Sequence, residues 1–225
     1  MVHFRRTAVI GVASLAALAL AAPAASAATT TVRAGSATAP AYSGRVQASL
    51  LGTATVSTSI GSGSCNESTL TGSIQSDGTG LTIDSATFAT NGGPCSGTVS
   101  STITPENFPW TGGTVVYDTA HTGGRDAAVT IANFRVRAVV NIFGGITCIY
   151  GGNLTANGYN PDNPNRGDTS VAEAQVGVSN ATVSKISSGS SFLCPSTATV
   201  SANYKLLGES TPGSGTYDQS LYVTE

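Results

Sequence analysis

From Val46 onward, β-branched and other apolar residues alternate with small polar ones, and turn residues recur at short intervals. A period of two marks strands that bury one face. Leu70, Gly72 and Ile74 alternate towards Asp77-Gly78, and Leu81 and Ile83 alternate away from it. An Asp-Gly pair between such runs predicts a hairpin, because the turn needs positive φ. A second hairpin is predicted between Leu154–Tyr159 and Val171–Val178, with the long loop Asn160–Asp168 in place of the tight turn. Further strands are expected at Ser96–Ile103, Thr114–Ala120, Thr197–Leu207 and Val129–Val140, the last with Arg135 and Arg137 on one face. Ser210–Thr216 reads as a turn, and Leu221 and Val223 as a short terminal edge strand. About ten strands predict an all-β fold, a mainly antiparallel sandwich or closed barrel.

The two halves echo each other. Cys65 leads into Leu70-Thr71-Gly72-Ser73, and Ser85-Ala86-Thr87-Phe88 precedes Cys95. Cys148 leads into Leu154-Thr155-Ala156-Asn157, and Asn180-Ala181-Thr182-Val183 precedes Cys194. The echo predicts two pseudo-repeats, about 46–120 and 121–225, that share one core in a single domain over 46–225. It also selects Cys65–Cys95 and Cys148–Cys194 from the three possible pairings, so that each unit carries its own bridge.

Residues 1–27 have the pattern of a removed export signal: Arg5 and Arg6, an apolar stretch to Ala22, then Ala25-Ser26-Ala27. Residues 28–45 read as a loosely ordered lead-in. Export agrees with an even number of cysteines held as disulfides. No later segment approaches the roughly 20 apolar residues of a spanning helix.

Charge narrows the partners. Only 10% of residues are charged and the formal net charge is −2, made two units more negative by loss of Arg5 and Arg6. A surface of Ser, Thr, Asn and Gly offers no electrostatic handle for nucleic acid or anionic lipid.

Candidate chemistry is sparse, and no cofactor is implied. His121, in the Asp118–Asp126 turn, is a candidate base for a Ser-His-Asp arrangement, but no G-x-S-x-G elbow accompanies it. Asp84, Glu106, Asp118, Asp126 and Glu173 are available for a carboxylate pair, and nothing in the sequence marks two of them. Asp162, Asn163, Asn165 and Asp168 are oxygen ligands of the kind calcium accepts, without the spacing of a calcium loop. Phe108 and Trp110, flanked by Pro105, Pro109, Gly112 and Gly113, are either an aromatic platform for a partner or a core plug. The plug is the expected role, since a lone tryptophan among few aromatics usually anchors a core.

The strings Phe108-Pro109-Trp110-Thr111, Cys148-Ile149-Tyr150-Gly151-Gly152, Cys194-Pro195 with Ala202-Asn203-Tyr204, and Leu221-Tyr222-Val223 resemble small exported all-β proteins of actinobacteria. The resemblance spans roughly Cys95 to the C-terminus and implies disulfides and secretion but no activity. The expected function is therefore a secreted, non-enzymatic protein, extracellular or at the cell surface, that binds a carbohydrate or protein partner through loops. The alternatives are a secreted hydrolase, an inhibitor or effector, and a pore-former, the last disfavoured by the lack of aromatic girdles.

Overall fold

The computed structural model describes residues 29–142 and 144–225; the expected export signal, 1–27, lies outside the described residues. Thirteen strands form one continuous antiparallel sheet, and eight of them close into a barrel. Around the barrel run β2 (Gly44–Thr58), β4 (Glu67–Ile74), β5 (Leu81–Ala89), β8 (Trp110–Tyr117), β9 (Ala127–Val140), β10 (Ile146–Tyr159), β11 (Ala174–Lys185) and β12 (Thr197–Glu209). Pairing of β12 back onto β2, with Leu206 opposite Ala48, completes the ring. Closure removes the exposed edges that an open sheet of this length would present. Of the two expected all-β architectures, the chain adopts the barrel.

Both expected hairpins are present. The β4–β5 turn centres on Gly78, at φ 76, whose carbonyl accepts from Val115 N at 2.7 Å. A Cβ at Gly78 would stand 2.1 Å from Val115 O, so the tip can lie against β8 only with glycine there. β10 and β11 pair through Gly158 and Val176, and the long loop joins them.

Several boundaries differ from the sequence reading. The stretch Ser96–Ile103 divides into β6 (Ser96–Gly97) and β7 (Ser101–Pro105), because Cys95 and Ser101 pair locally and turn the chain. β8 begins at Trp110 and ends at Tyr117, since Asp118–Asp126 is a closed turn with Asp118 N donating to Asp126 O. The segment 28–45 contains β1 (Thr31–Ala34), paired with β13 (Tyr217–Thr224), and the buried Tyr42. β13 is thus not an edge, lying between β1 and the end of β12.

The β1–β13 ribbon crosses one end of the barrel and turns Val32, Leu221 and Val223 inward. The other end carries both disulfides, Cys65–Cys95 and Cys148–Cys194, with Cα–Cα separations of 4.7 and 5.6 Å. Cys65 ends β3 (Gly61–Cys65), a hairpin partner of β2. Two disulfides fit an oxidising environment. Among the described residues no helix is long and apolar enough to cross a membrane.

Candidate functional site

The barrel is not filled by its own side chains. Valine, alanine and other small residues dominate the inward positions, and they leave two apolar chambers stacked along the axis. The larger, about 250 Å³, lies at the disulfide end and is lined by Val56, Phe88, Val136, Ala138, Leu154 and Val200, among others. Its lining reaches Ile60, which is 65% exposed, so this chamber opens to solvent; that end is the mouth. The smaller, about 130 Å³, lies beneath the β1–β13 ribbon.

A layer of four side chains divides the chambers: Leu70 of β4, Ile131 of β9, Val178 of β11 and Tyr204 of β12 line both. Tyr204 Oη and Ser68 Oγ share a buried hydrogen bond of 3.1 Å, which satisfies both hydroxyls. Burial pushes the Tyr204 hydroxyl above its ordinary pKa, and the bond to Ser68 works the other way. Nearer the mouth, Tyr150 donates to Pro195 O at 3.1 Å, and burial raises its pKa as well.

Two bulges set which side chains face the lumen. Ile131 and Phe134 are an odd number apart, so a plain strand would point them to opposite faces. The register shift against Gly152 and Leu154, with Asn133 at φ 57, turns both inward. Asn180, at φ 49, marks a matching shift between Val178 and Ala181. Asparagine tolerates this backbone better than other residues with a Cβ, which explains its place inside these strands.

The residues singled out in the sequence fall elsewhere. Trp110 is 1% exposed, stacks on Phe108 and Phe134 at 4.6 and 5.0 Å, and donates its indole N–H to Glu106 O at 2.8 Å. It presents no face to a partner; its role is that of a wall behind Phe134, which lines the larger chamber. Phe108 is half-buried beside it.

His121 is half exposed in the turn before β9, with Nδ1 at 3.1 Å from Arg125 O and 3.4 Å from Asp126 Oδ1. Among the described residues no serine hydroxyl is bonded to it. The candidate acids have separate partners. Asp84 pairs with Arg45, and Asp118 with Arg125 at 2.6 Å. Glu106 takes Arg135 and Arg137 at 3.1 and 2.5 Å. Asp126 accepts from Asn160 N and Asn163 Nδ2 at 2.7 and 2.8 Å, and Glu173 sits half-buried just before β11. Burial opposes ionisation of Glu106, yet the two guanidiniums hold its carboxyl below the usual range; Arg125 does the same for Asp118.

The Asn160–Asp168 loop is a polar cover over the outside of β11 and β12. Asp162 accepts from Tyr222 Oη at 2.9 Å, Asn163 Oδ1 caps Asn165 N at 2.8 Å, and Asp168 Oδ1 caps Ser170 N at 2.9 Å. Gln175, fully buried, ties the loop down through both the N–H and the carbonyl of Asp168. Burial first, and then Asp162, push the Tyr222 hydroxyl up to about 12. Among the described residues no three His, Cys, Asp or Glu side chains converge as a metal site.

The chain matches no protein-family model, no curated protein and no solved structure. The function must therefore be argued from the lumen. Its sequence signal is alanine at inward positions, such as Ala54, Ala138, Ala198 and Ala202, where barrel-filling side chains would be larger.

Proposed function

We propose that this is a secreted, non-enzymatic binding protein that takes one small apolar molecule into the mouth chamber. The observation that carries the reading is an apolar cavity of about 250 Å³ that opens at one end of an eight-stranded barrel. Barrels of eight strands are wide enough to hold one small ligand. An apolar cavity gives water too few polar partners, so it stays dry and favours an apolar occupant. Engineered cavities of about 150 Å³ already take up benzene-sized guests, so this chamber suits a larger hydrocarbon or aromatic compound. Polar recognition is confined to a few groups such as Ser101 and the Tyr150 hydroxyl near the rim. The ion-paired acids and His121 lie outside the chamber lining, which favours binding over catalysis there.

The test is titration with N-phenyl-1-naphthylamine, whose emission rises in apolar surroundings. Saturable enhancement at one probe per chain is expected, with energy transfer from Trp110 behind the chamber wall. Ala138→Phe fills the chamber from β9 and should abolish both signals; Ala138→Leu should weaken them while keeping the fold. Absence of enhancement in the parent protein, or an unchanged titration in a folded Ala138→Phe protein, overturns the proposal.

A further inference from the structure

The mouth differs from the rest of the molecule in charge. Its described residues lie in four loops: 57–66, 90–100, 141–142 with 144–146, and 186–196. Together they contain no Asp, Glu, Lys, Arg or His. The opposite end is dense in charge, with Asp118, Arg125, Asp126, Asp162, Arg166 and Asp168 on its loops. The two ionisable residues that flank the mouth loops in sequence, Glu67 and Lys185, turn back to loop backbone. Glu67 accepts from Gly92 N and Lys185 donates to Cys194 O, each at 2.9 Å.

Large apolar side chains stand out from the same end. Phe192 is 89% exposed, Ile60 65% and Leu193 48%, so three of the four large exposed hydrophobics of the described residues belong to mouth loops. Phe192 and Leu193 precede Cys194, whose bridge to Cys148 anchors their loop to β10. Ile60 is at the β2–β3 turn and also lines the chamber. Exposing them to water is unfavourable, and grouped apolar side chains at one end of a molecule mark an interaction surface.

We infer that the mouth docks onto a neutral lipid surface, where Ile60, Phe192 and Leu193 enter the apolar boundary and the chamber opens towards it. This rests on the lumen reading. The occupant is a lipid surface for two reasons. Loops without charged residues carry no desolvation penalty for ions on entering an interface, and burying the exposed Ile60, Phe192 and Leu193 side chains at the headgroup–acyl boundary removes apolar surface from water. A cavity for apolar cargo that opens on the same face also spares the cargo passage through water. The mouth loops carry no basic residue of their own, and the Lys185 ammonium beside them is held on Cys194 O, so attraction to anionic headgroups contributes little to docking.

The experiment is flotation of the protein with phosphatidylcholine vesicles, with and without phosphatidylglycerol. Binding is expected to both alike, and to persist from about 0.1 M to about 1 M salt, where the Debye length falls from about 10 to about 3 Å. Replacing Phe192 and Leu193 together by serine should weaken it by about tenfold or more, while N-phenyl-1-naphthylamine binding in solution survives. Ala138→Phe should do the reverse, losing the probe and keeping the vesicles, so the two readings fail separately. Four results overturn the inference: no binding to phosphatidylcholine, dependence on phosphatidylglycerol, indifference to the serine pair, or mouth-to-mouth self-association in place of vesicle binding.

Discussion

Tyr204 on β12 reaches over the intervening β2 to Ser68 on β4 and bonds it at 3.1 Å, between two chambers that neither side chain fills. The bond joins the one hydroxyl-bearing side chain among the four that line both chambers to Ser68, and both residues are buried. Tyr204→Phe leaves the Ser68 hydroxyl without a partner, and a cost of about 1–2 kcal/mol is expected in denaturant unfolding. Ser68→Ala in the same protein should recover part of that loss, because the orphaned group is then gone. Equal and additive costs for the two changes would show that the bond is unimportant.

Alkali should destabilise the protein through its tyrosines. Burial raises the hydroxyls of Tyr42, Tyr150, Tyr204 and Tyr222, the last to about 12. In the unfolded chain they titrate near about 10. The folded state therefore holds more protons above that pH, so stability is complete below about pH 10 and falls as pH rises through the folded values. Urea midpoints followed beside tyrosine absorbance should show the decline, and Tyr222→Phe should reduce it. A midpoint that rises above about pH 10 contradicts the assignment.

Both bridges close the mouth end, across separations of 30 and 46 residues. Chain-entropy reasoning gives about 3.5–4 kcal/mol for each. Single replacement of Cys65 and Cys95 by alanine, or of Cys148 and Cys194, should lower the stability by amounts of that order in chemical unfolding. Loss of the second bridge should also weaken vesicle binding more than loss of the first, because Cys194 anchors the Phe192–Leu193 loop. A negligible change on removing either pair would mean that the unfolded chain is already restrained.

Asn160 holds the ribbon that crosses the other end. Its Oδ1 accepts from Val223 N at 2.7 Å and its Nδ2 donates to Val223 O at 2.9 Å, so the side chain pairs with β13 as a strand would. Asn160→Ala leaves two buried backbone groups unpaired, at a cost of about 2–4 kcal/mol. Amide exchange of β1 and β13 should quicken while that of β9 and β10 is unchanged. Uniform protection across all four strands would place the ribbon's stability elsewhere.

The sequence made the strands legible because period-two alternation and turn residues are local signals. The Asp77-Gly78 hairpin could be read from them directly, and the cysteine pairing from the echo between the two halves. Barrel closure could not, because it depends on β12 meeting β2 across most of the chain. The inward set was hidden for a related reason: the bulges at Asn133 and Asn180 shift the alternation partway along β9 and β11. A sequence reading that favours rare residues was drawn to Trp110, His121 and the Asn160–Asp168 loop. The chamber is written instead in common alanines and valines, which draw notice only once the strands are curled.

The most direct test of a lumenal binding site is methyl NMR of the protein titrated with N-phenyl-1-naphthylamine. The account predicts saturable shifts at Val136, Leu154 and Val200 in the mouth chamber, with Val32 and Val223 of the ribbon unmoved. Shifts confined to the outer surface, or none in the chamber at saturation, would contradict it.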